Sequence, residues 1–183
     1  MEFWLLVIGI VVLYLGYPYI RCFVKRLSLR SKVKIKCQEK GYSLQGTHRF
    51  WFLGDKHGRG CDCYIETKKE LIAIKLFSIP RHRRVLFFTE NGEFFVRRFV
   101  SFFPFTVYSF NRRAEALPAY DFCYKCRHAE DNKPLRKMLL VNPVPMDIRM
   151  QEKRQEEYIL NPGDMVNGME LMNLSELLKE LEK

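Results

Sequence analysis

From Phe3 to Ile20 the chain reads FWLLVIGIVVLYLGYPYI, eighteen residues without a formal charge. That length carries a helix across about 30 Å of hydrocarbon at about 1.5 Å per residue, so the pattern predicts a transmembrane helix over residues 1–20. Trp4 stands near one end and Tyr14, Tyr17 and Tyr19 toward the other, where amphipathic rings favour the two interfaces. Pro18 falls in the last turn, where a kink is tolerated. Beyond it, Leu29, Val33 and Cys37 recur every fourth residue and Gly41 follows, which predicts a short amphipathic helix with a glycine stop, so that 21–41 is a basic juxtamembrane helix or linker.

From Tyr42 to Val107 the periodicity changes to that of strands. One hairpin is predicted from Cys61–Ile65 through Thr67-Lys68-Lys69-Glu70 to Leu71–Phe77. A turn centred between Lys68 and Lys69 sets Ile65 opposite Ile72, Tyr64 opposite Ala73 and Asp62 opposite Lys75. A second hairpin pairs Val85–Thr89 with Phe94–Arg98 across Asn91-Gly92, a strong turn signal. A two-residue turn there sets Phe88 opposite Phe95 and Phe87 opposite Val96, with apolar centres on both faces that call for cover on both sides. Residues 111–134 read as a polar connection, Lys137–Val141 as a short buried strand ending at Asn142-Pro143-Val144-Pro145, and Asn161-Pro162-Gly163-Asp164 as a turn. The final NLSELLKELEK predicts a helix, with Asn173 and Glu176 as a capping box and Leu174, Leu177, Leu178 and Leu181 as its apolar stripe. The fold class expected is α+β: an anchor, then one domain over 42–183 rich in antiparallel sheet and closed by a C-terminal helix.

Charge fixes an orientation for this plan. Arg21, Lys25, Arg26, Arg30, Lys32, Lys34 and Lys36 follow the apolar run with no acid among them, which places the amino terminus outside and the domain in the cytoplasm. Glu2 before the run and Tyr-Pro-Tyr-Ile-Arg after it do not suit a cleaved signal peptide. The chain of 183 residues carries a net charge of +10, so polyanions are natural partners; nucleic acid and anionic lipid share that sign. The six cysteines agree with a reducing compartment.

The first hairpin is the strongest candidate for chemistry. The segment GCDCYIETKKELIAIKLF resembles the active-site hairpin of restriction-endonuclease-like nucleases, where an Asp opens one strand and a Glu-x-Lys or Gln-x-Lys lies on the next. The resemblance covers residues 60–77 and implies Asp62 as a Mg²⁺ ligand and Lys75 as the cation acting at phosphate. Ala73 stands where the second metal-binding residue belongs, and a methyl group cannot ligate Mg²⁺. Glu66 lies about 13 Å along the strand from Asp62, beyond sharing an ion with it.

Cys61, Cys63, Cys123 and Cys126 could supply four thiolates to zinc; on one strand the first pair would point to one face about 6.6 Å apart, an awkward span for one ion. Arg81, Arg83 and Arg84 form a basic loop which, with Lys75, Arg97 and Arg98, predicts a polyanion-binding patch at one end of the sheet. The Phe-rich second hairpin offers either a stacking platform for single strands or a packed core. No phosphate loop, dinucleotide fingerprint or metalloprotease helix is present, and no small-molecule cofactor is implied. The sequence thus predicts a membrane-anchored protein whose basic cytoplasmic domain binds a polyanion or protein partner without catalysis, with a Mg²⁺-dependent phosphodiesterase as the alternative.

Overall fold

The computed structural model describes residues 2–47, 49–54, 60–77, 84–90, 92–102, 105–109, 115–116, 133–145, 147–152 and 156–182, leaving out the side chains of 2–3, 84, 98–102, 105–109 and 115–116. Helix α1 runs unbroken from Glu2 to Lys40, 39 residues, about 58 Å at 1.5 Å per residue. The anchor and the basic amphipathic helix expected separately are therefore one element. Nothing between Ile20 and Leu29 is a strong helix breaker, and exposed Lys and Arg are good helix formers. Gly41, at φ 68°, ends the helix as expected.

The strands follow as β1 (Ser43–Gly46), β2 (Cys63–Glu66), β3 (Leu71–Phe77), β4 (Arg84–Thr89), β5 (Glu93–Phe102), β6 (Phe105–Ser109) and β7 (Glu115–Ala116). Then come β8 (Leu135–Val141), β9 (Asp147–Gln151), β10 (Glu157–Ile159), β11 (Met165–Val166), β12 (Met169–Asn173) and helix α2 (Leu174–Glu180). Among the described residues the strands form two six-stranded sheets, one ordered β1-β2-β3-β8-β12-β11, the other β10-β9-β4-β5-β6 with β7 also on β5. Both are mixed rather than purely antiparallel, because β8 lies parallel to β3 and β12, and β9 lies parallel to β4. The class is α+β, as the sequence predicts.

Alternation along β3 divides the core. Ile72, Ile74 and Leu76 point to one face, where with Met138 and Leu140 they pack against Leu29, Val33 and Cys37 of α1, Trp51 and Phe52 of a short 3₁₀ turn, and Leu177 and Leu181 at α2. Each fully buried Leu or Val there contributes about 1.5–3 kcal/mol. Phe77, Leu139, Val141 and Leu171 point the other way and meet Leu86, Phe88, Phe94 and Met150 of the second sheet. The layers are thus helices, first sheet, second sheet.

The first hairpin adopts the predicted register, with Ile65 opposite Ile72 and Tyr64 opposite Ala73. Thr67 closes its turn: its hydroxyl donates to the Glu70 carbonyl at 2.8 Å and accepts from the Glu70 N–H at 3.0 Å. The second hairpin departs from prediction by one residue, since Phe87 faces Phe95 and Phe88 faces Phe94. The Gly92 N–H donates to the Thr89 carbonyl at 3.0 Å and Gly92 takes φ 74°. A three-residue loop ending in a left-handed glycine replaces the two-residue turn and shifts the pairing. Leu86, Phe87 and Phe88 are all buried, in keeping with cover on both faces.

Candidate functional site

Asp62 and Lys75 come together as the hairpin register requires, but inside the protein. Asp62 sits where the chain bends into β2; its N–H donates to the Ile74 carbonyl at 2.8 Å, and its own carbonyl accepts from the Thr47 N–H at 3.0 Å. Those bonds hold its carboxylate over β3, where Oδ2 accepts the Leu76 N–H at 2.7 Å and lies 3.5 Å from Lys75 Nζ. Lys75 Nζ also donates to the Gly60 carbonyl at 3.0 Å. Asp62 is 2% and Lys75 1% exposed. Two charges taken so far from water persist only when paired and hydrogen-bonded, and both conditions are met.

This burial removes Lys75 from the basic surface the sequence predicts. Because β3 and β4 lie in different sheets, Lys75 points between the layers, whereas Arg97 lies on the outer face of the second sheet. Glu66 is opposite Leu71 at the turn end and pairs with Lys133 at 2.9 Å. Asp62, Glu66 and Lys75 therefore do not converge on one ion. Among the described residues no three of His, Cys, Asp and Glu gather closely enough to hold a metal.

Cys61 and Cys63 separate for a local reason. Residue 62 is a bend and β2 begins only at Cys63, so strict alternation does not extend back to Cys61. Cys63 packs toward α1, while Cys61 joins Tyr64, Leu71 and Ala73. Burial pushes the Cys61 thiol up to about 11 and the Cys63 thiol well above its ordinary value, so both stand as neutral thiols in the metal-free fold. Cys123 and Cys126 lie outside the described residues.

The second sheet carries a cluster that sequence reasoning found only in part. Phe87 and Phe95 stack with centroids 4.9 Å apart, and the Arg97 guanidinium lies 4.6 Å and 5.0 Å from their centroids. Its Nη1 also binds Glu157 Oε1 at 3.0 Å, and Arg149 approaches the other Glu157 oxygen at 3.5 Å. Glu157 and Arg149 were not legible as its partners, because their strands reach β5 only through the parallel β4–β9 pairing. At the far end of the hairpin the register sets Arg84 directly opposite Arg98. Arg81 and Arg83 lie outside the described residues.

Two clefts flank the far half of α1. One, of about 350 Å³, is lined by Arg30, Lys34, Gln38, Tyr42, Leu44 and Trp51 among others. The other, of about 640 Å³, lies between Lys40, the Thr67–Glu70 turn and Arg136. Arg136 is engaged by Glu170 at 2.7 Å, Glu180 at 3.0 Å and Glu70 at 3.3 Å. The Glu170 carboxylate above all, with Glu180, raises the guanidinium's pKa.

Comparison with protein-family models, with curated proteins and with solved structures finds no match.

Proposed function

We propose that this chain is a single-pass membrane protein, amino terminus outside, whose cytoplasmic domain binds a polyanion or an acidic protein partner at the inner membrane face. The observation that carries the reading is the division of α1. Its near half is apolar and exposed, Trp4, Leu13 and Tyr14 being 68%, 66% and 79% accessible; its far half is docked through Cys22, Leu29, Val33 and Cys37. So much contiguous apolar surface is not left facing water, and a bilayer is the medium that its length and composition fit.

Binding rather than catalysis is supported by the closure of the Asp62–Lys75 pair and by the separation of Glu66 from it. The net charge of +10 supports an anionic ligand, and the register of β4 and β5 brings two basic residues, Arg84 and Arg98, to one cross-strand position. The nuclease-like alternative draws support from one feature, the contact of an Asp at the start of one strand with a Lys on the next.

Full-length protein in nanodiscs, titrated with heparin and with a single-stranded oligonucleotide, separates the two. The binding reading expects affinity that falls as salt rises, weakened in Arg84→Ala/Arg98→Ala, with the oligonucleotide intact in Mg²⁺ or Mn²⁺. Cleavage that needs the metal and disappears in Lys75→Met would replace it with the phosphodiesterase reading. Affinity for neither probe at low salt would leave the protein-partner form alone standing.

A further inference from the structure

We infer that the folded domain itself rests on the bilayer, touching the anionic leaflet through Val144 and the apolar collar of α1. The inference rests on the spanning reading of α1 and adds to it a second, independent contact.

The antiparallel course of helix and strands sets the geometry. Helix α1 leads away from the membrane, and at its far end Lys40 lies by the Thr67–Glu70 turn. From that turn β3 leads back, with β8 parallel beside it, so both strands finish toward the membrane. Where they finish, the Asn142 N–H donates to the Phe77 carbonyl at 2.9 Å, and Asn142 Nδ2 donates to the Lys25 carbonyl at 3.3 Å. Lys25 lies five residues past Ile20, about 7.5 Å further along the axis. The polar zone of one leaflet is about 5–7.5 Å deep. The Asn142–Pro145 loop therefore stands at the outer edge of the headgroups.

Burial and charge at that level agree. Cys22, only two residues past Ile20, is already 4% exposed, so the protein covers the helix at headgroup depth. On the helix faces not covered there, Phe23 and Val24 are 47% and 56% exposed, beside Arg21 and Lys25. Within the loop Pro143 and Pro145 are buried while Val144 is 48% exposed. Two prolines with fixed φ hold this single apolar side chain outward. Apolar groups interleaved with Lys and Arg suit the boundary between acyl chains and anionic headgroups. The orientation is then fixed at two points, which a single flexible tether does not provide.

Fluorescence in proteoliposomes of anionic lipid brominated near the headgroup tests this with the full chain. Trp4→Phe leaves Trp51 as a common background, and onto it are placed either Val144→Trp or Lys68→Trp, the latter exposed on the turn at the opposite end of the sheet. The expected result is that the tryptophan at 144 loses most of its emission, while the one at 68 keeps its own. Equal emission loss at 144 and 68, with Trp4 of the parent protein still quenched, would overturn the docking and leave the span intact. An unquenched Trp4 as well would remove the span and the docking together.

Discussion

A carboxylate and an ammonium sealed between two sheets are costly to separate. Removing one partner of a buried pair leaves an uncompensated charge, at about 3–5 kcal/mol, whereas an exposed cross-strand pair is worth about 0–1 kcal/mol. Urea denaturation of Lys75→Met should therefore show a loss in the larger range. Asp62→Asn/Lys75→Met should recover much of it, since the amide oxygen still accepts the Leu76 N–H. A loss below about 1 kcal/mol in the single variant would contradict the burial. The pairing was legible, because the Thr67–Glu70 turn fixes which residues face each other; the burial was not, because it depends on a second sheet the hairpin does not contain. Thiols give a pH dependence of definite sign. Burial raises Cys37 and Cys61 from 9.0 to about 11, so the folded state retains protons that the unfolded state gives up. Their contribution is complete below pH 9 and is lost as pH rises through about 11. The denaturation midpoint should fall across that window, and less steeply in Cys37→Ala; identical slopes would show that Cys37 does not titrate with unfolding.

Contact between Gly46 and the Trp51 indole shows how closely β1 and the 3₁₀ turn fit. A methyl group added at Gly46 would collide with Trp51 Cδ1, so the ring must move. Gly46→Ala should cost about 1–3 kcal/mol by overpacking, and less in a Trp51→Leu background, because the two sites share one contact. Additive losses in thermal denaturation would locate the strain elsewhere. Sequence patterns served best where an element is closed by its own residues. Asn173 caps α2 by accepting the Glu176 N–H at 2.9 Å, as its spacing with Glu176 predicts, and Asn161 and Asp164 form the expected turn. They served less well where one residue decides between alternatives. Asn-Gly is compatible with a two-residue turn and with a longer loop, and the left-handed Gly92 adopts the second. The continuity of α1 is not visible in the surface pattern, because the change from apolar to basic side chains resembles a boundary between elements although the backbone crosses it without interruption.

In whole cells, a reporter fused after Lys183 should resist protease added from outside, and reversing the charges of Arg21, Lys25 and Arg26 should weaken that protection. Digestion of the unaltered fusion would reverse the orientation. At this scale the sequence was least informative. Residues 71–77 pair in parallel with 135–141, and 85–89 with 147–151; such partners share no local turn, and short strands such as β9 and β12 carry too few residues to declare a period. One late pairing bears on how the molecule is made. Strand β12 lies parallel beside β8 in the first sheet, and Leu177 and Leu181 close the same core that receives Leu29 and Val33 of α1. During synthesis the apolar start of α1 emerges long before those residues exist. On the spanning reading of α1, the helix enters the bilayer while the surface that covers its far half is still incomplete, and Leu29, Val33 and Cys37 lack the cover of Leu177 and Leu181 until translation has passed Leu181. Throughout that interval the nascent chain offers neighbouring chains the part of its apolar core that α2 will later cover.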